Sequence, residues 1–184
     1  VELIKAASAE FERVVRQLPA DAWDRPTPSE VSVRELVEHV VVGNRFTAML
    51  LAGVGRAEAR TRLGGDQLGN DPVAAVVGSA RRQRDGFAST APGQILDGPK
   101  GDITAEEFLR FRLIDLVVHA WDLLRAAGQD EALDADVVDR LLAVVEPHLD
   151  EILAFGAYGD GPSGTLPPDA DPQRRLLDMF GRRP

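Results

Sequence analysis

Cysteine is absent from all 184 residues. Disulfides, thiolate metal ligands and a cysteine nucleophile are therefore excluded, and any thiol chemistry needs a thiol carried in by a ligand. Lysine is scarce: of 21 basic residues only Lys5 and Lys100 are lysines, so 19 are arginine, a bias of GC-rich bacterial genomes. Positive charge is in deficit, with a net charge of −9. That argues against nucleic acid and against anionic membrane surfaces, both of which need a basic face. No run of about 18 apolar residues occurs, so no transmembrane helix is expected. The opening "VELIKAASAEFERVV" lacks the basic start and small-residue cleavage site of a secretory signal, and a cytoplasmic location is expected. Strand-type alternation is nearly absent, as are internal repeats, low-complexity tracts and linkers. The length suits one domain, 1–184, with a real core.

Helix signals fill the chain. A first helix runs from about Glu2 to Leu18, before Pro19. Ser32 precedes Glu35 by three residues, a capping box that opens "VRELVEHVVVGNRFTAMLLAG". Asp71-Pro72 places a cap and a first-turn proline ahead of a third helix, "PVAAVVGSARRQRDGFAS". Pro92 to Thr104 reads as a loop. Thr104 and Glu107 form a second capping box for a long helix that Gly128 closes. Asp134 caps a fifth, bent or split at Pro147, and Asp171-Pro172 opens a short last one. The fold class expected is all-α, a bundle of long helices with some long connections.

Two histidines and a carboxylate stand out. At about 100° per residue, Arg112, Asp115, His119 and Asp122 share an arc about 80° wide. Leu113, Leu116, Val117, Ala120, Leu123 and Leu124 take the opposite half. That stripe either faces water or lines an interior site. On the earlier helix His39 lies off the polar face of Arg34, Glu38 and Arg45, among Leu36, Gly43, Phe46 and Leu50. An imidazole turned to that side needs a hydrogen-bond partner or a metal. Gly43, one turn on, is expected to leave room for a ligand. His39 with the i, i+4 pair Asp115 and His119 offers a donor set suited to a divalent first-row metal, with coordination positions left open. A metal-free hydrogen-bonded cluster of the same residues is the alternative. Arg112 is expected to pair with Asp115. Asp122 is expected to cap local backbone groups or to orient a ligand from behind. His148 reads as a surface or helix-bend residue, Arg81–Asp85 as a solvated face, and Trp23 and Trp121 as packing residues.

"PTP" with "VRELVEHVVVGNRF", then "RLIDLVVHAWDLLRAAGQ", "FG" and "DADPQRRLLDMFGRRP", resembles the DinB-like superfamily over nearly the whole chain. The resemblance is to its actinobacterial branch, which is similar to the metal-binding N-terminal domain of mycothiol-dependent maleylpyruvate isomerase. It implies a DinB/YfiT-like four-helix bundle in up-down-down-up order with additional short C-terminal helices. It also implies a metal triad at His39, Asp115 and His119, beside which the spacing places Arg112, Asp122 and Gly43 as candidate supporting residues. The implied cofactor is a divalent metal ion, zinc first, with nickel and manganese as alternatives. The implied co-substrate is mycothiol or a similar low-molecular-weight thiol, acting with a small-molecule substrate in a transferase or isomerase-like reaction. The resemblance further implies a homodimer. The chain departs from the pattern at "SEVSV", where many relatives carry a Cys and a Trp and here Ser29 stands with neither. A non-catalytic bundle with a binding or stress-related role is the competing reading. A non-haem iron oxygenase shares the ligand types, but those ligands usually sit on β-barrel strands.

Overall fold

The computed structural model describes residues 1–158 and 161–183. Gly159 and Asp160, in the expected loop of residues 156–170, and the terminal Pro184 lie outside the described residues. Among the described residues eight α-helices form: α1 (Glu2–Gln17), α2 (Val33–Leu51), α3 (Arg56–Arg62), α4 (Pro72–Ala88), α5 (Ala105–Ala127), α6 (Ala135–Val145), α7 (Leu149–Ala154) and α8 (Pro172–Met179). A 3₁₀ turn, Glu146–His148, joins α6 to α7 around Pro147, where a proline cannot continue the α-helical hydrogen bonds.

The local signals act as read. Ser32 accepts from the Glu35 amide while the Glu35 carboxylate accepts from the Ser32 amide, and Thr104 and Glu107 repeat this at the head of α5. The Asp71 and Asp171 side chains cap α4 and α8. Gly128 ends α5 with φ of 67°, a left-handed conformation that only glycine adopts without strain.

Helices α1, α2, α4 and α5 make the bundle. Asn44 bonds Ser79 and Leu51 lies against Gly86, so α2 and α4 run parallel. Gln129, just past α5, bonds the Gln17 carbonyl at the end of α1, and Val1 lies beside Ala105 and Leu109, so α1 and α5 run parallel. Gly43 faces Arg112 and His39 faces Asp115, so α2 and α5 are antiparallel. The order is up-down-down-up. Packing of α1 on α4 and of α2 on α5 closes the ring. Its core includes Phe11, Leu36, Ile114, Leu116, Trp121 and Phe180, all buried.

Two features differ from the sequence reading. The segment of residues 92–104 is not all loop: β1 (Ile95–Gly98) and β2 (Gly101–Thr104) pair as an antiparallel hairpin around Pro99 and Lys100. Helix α3 had no forecast. The two support each other, since the Arg56 amide donates to Asp97 and the Arg56 guanidinium donates to the Gly98 carbonyl. Four-residue strands are too short for an alternation pattern to show.

Candidate metal centre

Helix α5 is the structural axis of the site. Its apolar half packs into the bundle, and its polar stripe also turns inward: Arg112 and Asp122 are buried, and the side chains of Asp115 and His119 are 15 % and 13 % exposed. The water-facing alternative for that stripe does not hold. A polar stripe this largely covered is tolerated only if its residues find partners.

Arg112 and Asp115 form an ion pair one turn apart. Behind them lies a buried amide network. Arg112 Nε donates to Gln83 at 3.0 Å and its Nη2 to Asn44 at 3.0 Å, while Gln83 donates to Asn44 at 2.7 Å. This network occupies the space beside Gly43. A Cβ there would press into the Arg112 guanidinium, so the glycine makes room for Arg112, and it also lines a cavity of about 230 Å³ beside the triad. The arginine fixes the Asp115 carboxylate and holds its charge. Burial opposes ionisation, but the Arg112 guanidinium and the hydrogen bonds from His119 and His39 outweigh it, holding Asp115 well below the usual carboxylate range.

His119 is fixed from the other side. Its Nδ1 lies 2.9 Å from Asp122 Oδ2. Asp122 caps no backbone group; it also accepts from Ser29 at 2.9 Å and from Arg182 Nη2 at 2.7 Å and Nε at 3.1 Å. Ser29 reaches it from a turn in which the Thr27 amide and hydroxyl both donate to the Val31 carbonyl at 2.8 Å. Glu30 in that turn has φ of 62°, the one non-glycine residue with positive φ among the described residues. Sequence reading missed Ser29 and Arg182 as partners, because the contacts span 93 and 60 residues and no spacing rule reaches that far.

The tautomer of His119 carries chemical information. An ionised Asp122 can only accept, so Nδ1 holds the hydrogen. Nε2 then points at Asp115 Oδ1, 3.5 Å away, which is also an acceptor. A neutral ring would aim its lone pair at a carboxylate. Either a second proton or a cation must sit at Nε2. Burial pulls the ring's pKa down, yet the hydrogen bonds to Asp115 and Asp122 raise it overall.

His39 completes the set, but not from the core. Its side chain is 56 % exposed at the rim, and this corrects the inward orientation expected from the sequence. Its Nε2 lies 3.3 Å from Asp115 Oδ2, and the two imidazoles meet edge to face at 89° with centroids 5.3 Å apart. One ligand atom from each of His39, Asp115 and His119 can be chosen so that all lie within 4.8 Å of one another. Ligands about 2.1 Å from a shared tetrahedral ion stand about 3.4 Å apart. His39 Nε2 lies 3.3 Å from Asp115 Oδ2 and His119 Nε2 lies 3.5 Å from Oδ1, so that spacing is met with both oxygens of the carboxylate and not with one alone. The donor set can hold a divalent first-row ion.

Two cavities meet at these residues. One, about 510 Å³, is lined by Ser29, Glu30, Glu35, His119 and Arg182. The other, about 230 Å³, has aromatic walls. His39, Asp115, Ala157 and Tyr158 line both. Burial pushes the Tyr158 phenol well above its ordinary value, and the nearby Asp115 charge adds to this. His148 pairs loosely with Glu151 away from the triad, and Arg81 lies exposed 3.8 Å from Asp85, both as expected. Among the described residues no helix is long and apolar enough to cross a membrane.

The family model described as "Mycothiol maleylpyruvate isomerase N-terminal domain" matches residues 4–124, a span that holds His39, Asp115, His119 and Asp122 and stops short of Arg182. Two uncharacterized proteins of Mycobacterium tuberculosis, one from strain CDC 1551 / Oshkosh and one from strain H37Rv, are each 32% identical over 135 residues. In both cases the match covers 72% of this chain and 70% of the relative. No solved structure gives a significant match.

Proposed function

The chain belongs to the mycothiol maleylpyruvate isomerase N-terminal domain family, and from that membership we propose that it is a divalent-metal enzyme that uses a low-molecular-weight thiol, of the mycothiol type, in a transferase or isomerase-like reaction. The observation that carries this reading is His119 lying between two carboxylates. Nδ1 is committed to Asp122, and Nε2 faces the Asp115 carboxylate, a position that a divalent ion fills as well as a second proton does.

His39, Asp115 and His119 hold the ion, with zinc first by ligand type and nickel or manganese as alternatives. A divalent ion there supplies Lewis acidity, which favours the thiolate form of a thiol over the protonated form. The chain's own residues set the conditions. Arg112 neutralises Asp115 and Arg182 neutralises Asp122, so both carboxylates are already balanced by guanidinium groups. The two imidazoles are neutral when they act as ligands. The surroundings therefore favour an incoming anion. Asp122 holds the His119 ring at a fixed angle, while the exposed His39 faces the cavities through which a small molecule arrives. The absence of cysteine is consistent with a borrowed thiol.

A second reading has an observation in its favour. Asp115 is already satisfied by Arg112 and both histidines, as it would be in a metal-free bundle with a binding role. Cobalt loading separates the two. Protein loaded with cobalt(II) and titrated with mycothiol or a cysteine derivative is expected to develop a sulfur-to-cobalt charge-transfer absorption that His119→Ala lacks. Cobalt uptake with no such absorption for any thiol tried would remove the thiol from the proposal.

A further inference from the structure

Four of the seven phenylalanines and the only tyrosine of the chain gather in one place. Phe46, Phe108, Phe111, Phe155 and Tyr158, with Pro99 from the hairpin turn, wall the cavity of about 230 Å³ beside the triad. These rings do not simply fill a core. Phe46, Phe111 and Phe155 are only partly buried, and the space between them stays open. Phe111 and Phe155 pack with centroids 4.4 Å apart, and the Tyr158 hydroxyl donates to the Phe111 carbonyl at 3.2 Å. The hairpin turn secures one wall, because Lys100 donates to the Phe155 carbonyl and lies 4.7 Å over its ring.

We propose that this chamber binds a flat, uncharged, aryl-sized group of the substrate and presents the polar end of that substrate to His39 and Asp115. The inference rests on the triad being a reaction centre. Size supports it: an apolar cavity of about 150 Å³ takes a benzene ring, so this one holds a single substituted ring or a small fused pair. Wall chemistry supports it, since aromatic faces and edges favour offset and edge-to-face contact with another ring. Charge supports it as well. The arginine lining the chamber, Arg112, is occupied by Asp115, Gln83 and Asn44 and is not free to pair with an anionic group, and the other basic group on the wall, His39, already faces Asp115. The wider cavity shares His39 and Asp115 and leaves separate room for a co-substrate, which suits a two-substrate reaction meeting at the triad.

Toluene tests the chamber, because it carries no charge and no atom that binds zinc. It is titrated against chelator-stripped and zinc-treated protein, with binding followed by saturation-transfer NMR. Saturable binding is expected, equal within about twofold in the two preparations. It should weaken at least tenfold in Ala157→Trp, which places a bulky ring at an exposed position on the chamber wall, and in Phe155→Ser. Circular dichroism checks that each variant is folded, and Phe155→Leu, which keeps the volume without the ring, replaces any that is not. In the chelator-stripped protein, where no metal can take the carboxylate, benzoate should bind at least tenfold more weakly than toluene. Absence of saturable toluene binding, or binding unchanged in the folded variants, overturns the proposal, and tighter binding of benzoate overturns its uncharged character. Toluene binding that persists in protein unable to take up zinc would remove the metal reading and keep the chamber. Zinc uptake without toluene binding would do the reverse.

Discussion

His39 and His119 share a residue type and face the same carboxylate, yet they are built differently. His119 is enclosed on α5, with Asp122 behind it and Ser29 and Arg182 behind Asp122. His39 sits at the rim of α2, 56 % exposed, touching Asp115 and the edge of the His119 ring, with no carboxylate behind it among the described residues. A ring held on both sides keeps one tautomer and one direction, whereas a ring held on one side can turn. The enclosed histidine is the fixed reference of the site, and the rim histidine can adapt to what arrives. The same division runs through the chain: residues 4–124 provide all three candidate ligands, while Arg182, which locks Asp122, comes from beyond that matched span.

The largest expected effect removes the support of His119. Asp122→Ala leaves the Arg182 guanidinium, 13 % exposed, without its carboxylate. Breaking a buried pair in this way costs about 3–5 kcal/mol, and chemical denaturation should show most of it. Zinc affinity should fall about 10–100-fold as the ring loses its orientation. Equal loss from Asp122→Ala and from a surface aspartate variant would dissolve the contrast between the two histidines.

Next in size is the direct comparison. His119→Ala should cost about 1–3 kcal/mol through its buried hydrogen bonds, whereas His39→Ala should stay within about 0.5 kcal/mol, as exposed positions do. Both should lose metal. Thermal melts of the chelator-stripped proteins measure the first difference, and matching melting temperatures would contradict it.

Gly43→Ala tests the ground between the histidines. In an ordinary helix interior this change gains about 1 kcal/mol. Here the added Cβ would press into the Arg112 guanidinium, which is fixed by Gln83, Asn44 and Asp115. A net loss of about 1 kcal/mol or more is expected, in the range of overpacked sites. A gain would mean that Arg112 moves freely and does not hold Asp115.

The smallest effect lies at the helix starts, where the histidine helices are alike. Hydrogen bonds from Ser32 and Thr104 hold the Glu35 and Glu107 carboxyls below their ordinary values. A carboxyl with a depressed folded-state pKa stabilises the fold above its unfolded value, about 4.3. That contribution fades as pH falls through the lowered folded value. Glu35→Gln and Glu107→Gln should each lower stability slightly at pH 7 and make the melting temperature less sensitive to acid between pH 5 and 3 by similar amounts. A large difference between the two variants would place the contrast at the caps and not at the rings.

Much of this was legible in the sequence because it is local. Capping boxes at Ser32 and Thr104, Asp-Pro starts at Asp71 and Asp171, and Gly128 mark helix ends within a few residues. The i, i+4 pair of Asp115 and His119 is likewise a property of one helix. What was not legible depends on distant packing. The buried amides Asn44 and Gln83 draw the polar stripe of α5 inward, Arg112 fills the space beside Gly43, and Arg182 crosses 60 residues to reach Asp122. His39 was misplaced for a related reason. A wheel gives direction around one helix, not how far the neighbouring helix and loops cover that side.

Metal content decides whether His39, Asp115 and His119 act together as a binding site. Untagged protein purified without chelator is measured by mass spectrometry beside His39→Ala and His119→Ala. About one divalent ion per chain is expected, as a shared three-residue site requires, with its loss in both variants. A protein that is empty, and stays empty after dialysis against zinc, nickel or manganese, would contradict the account and leave His39, Asp115 and His119 as a hydrogen-bonded cluster.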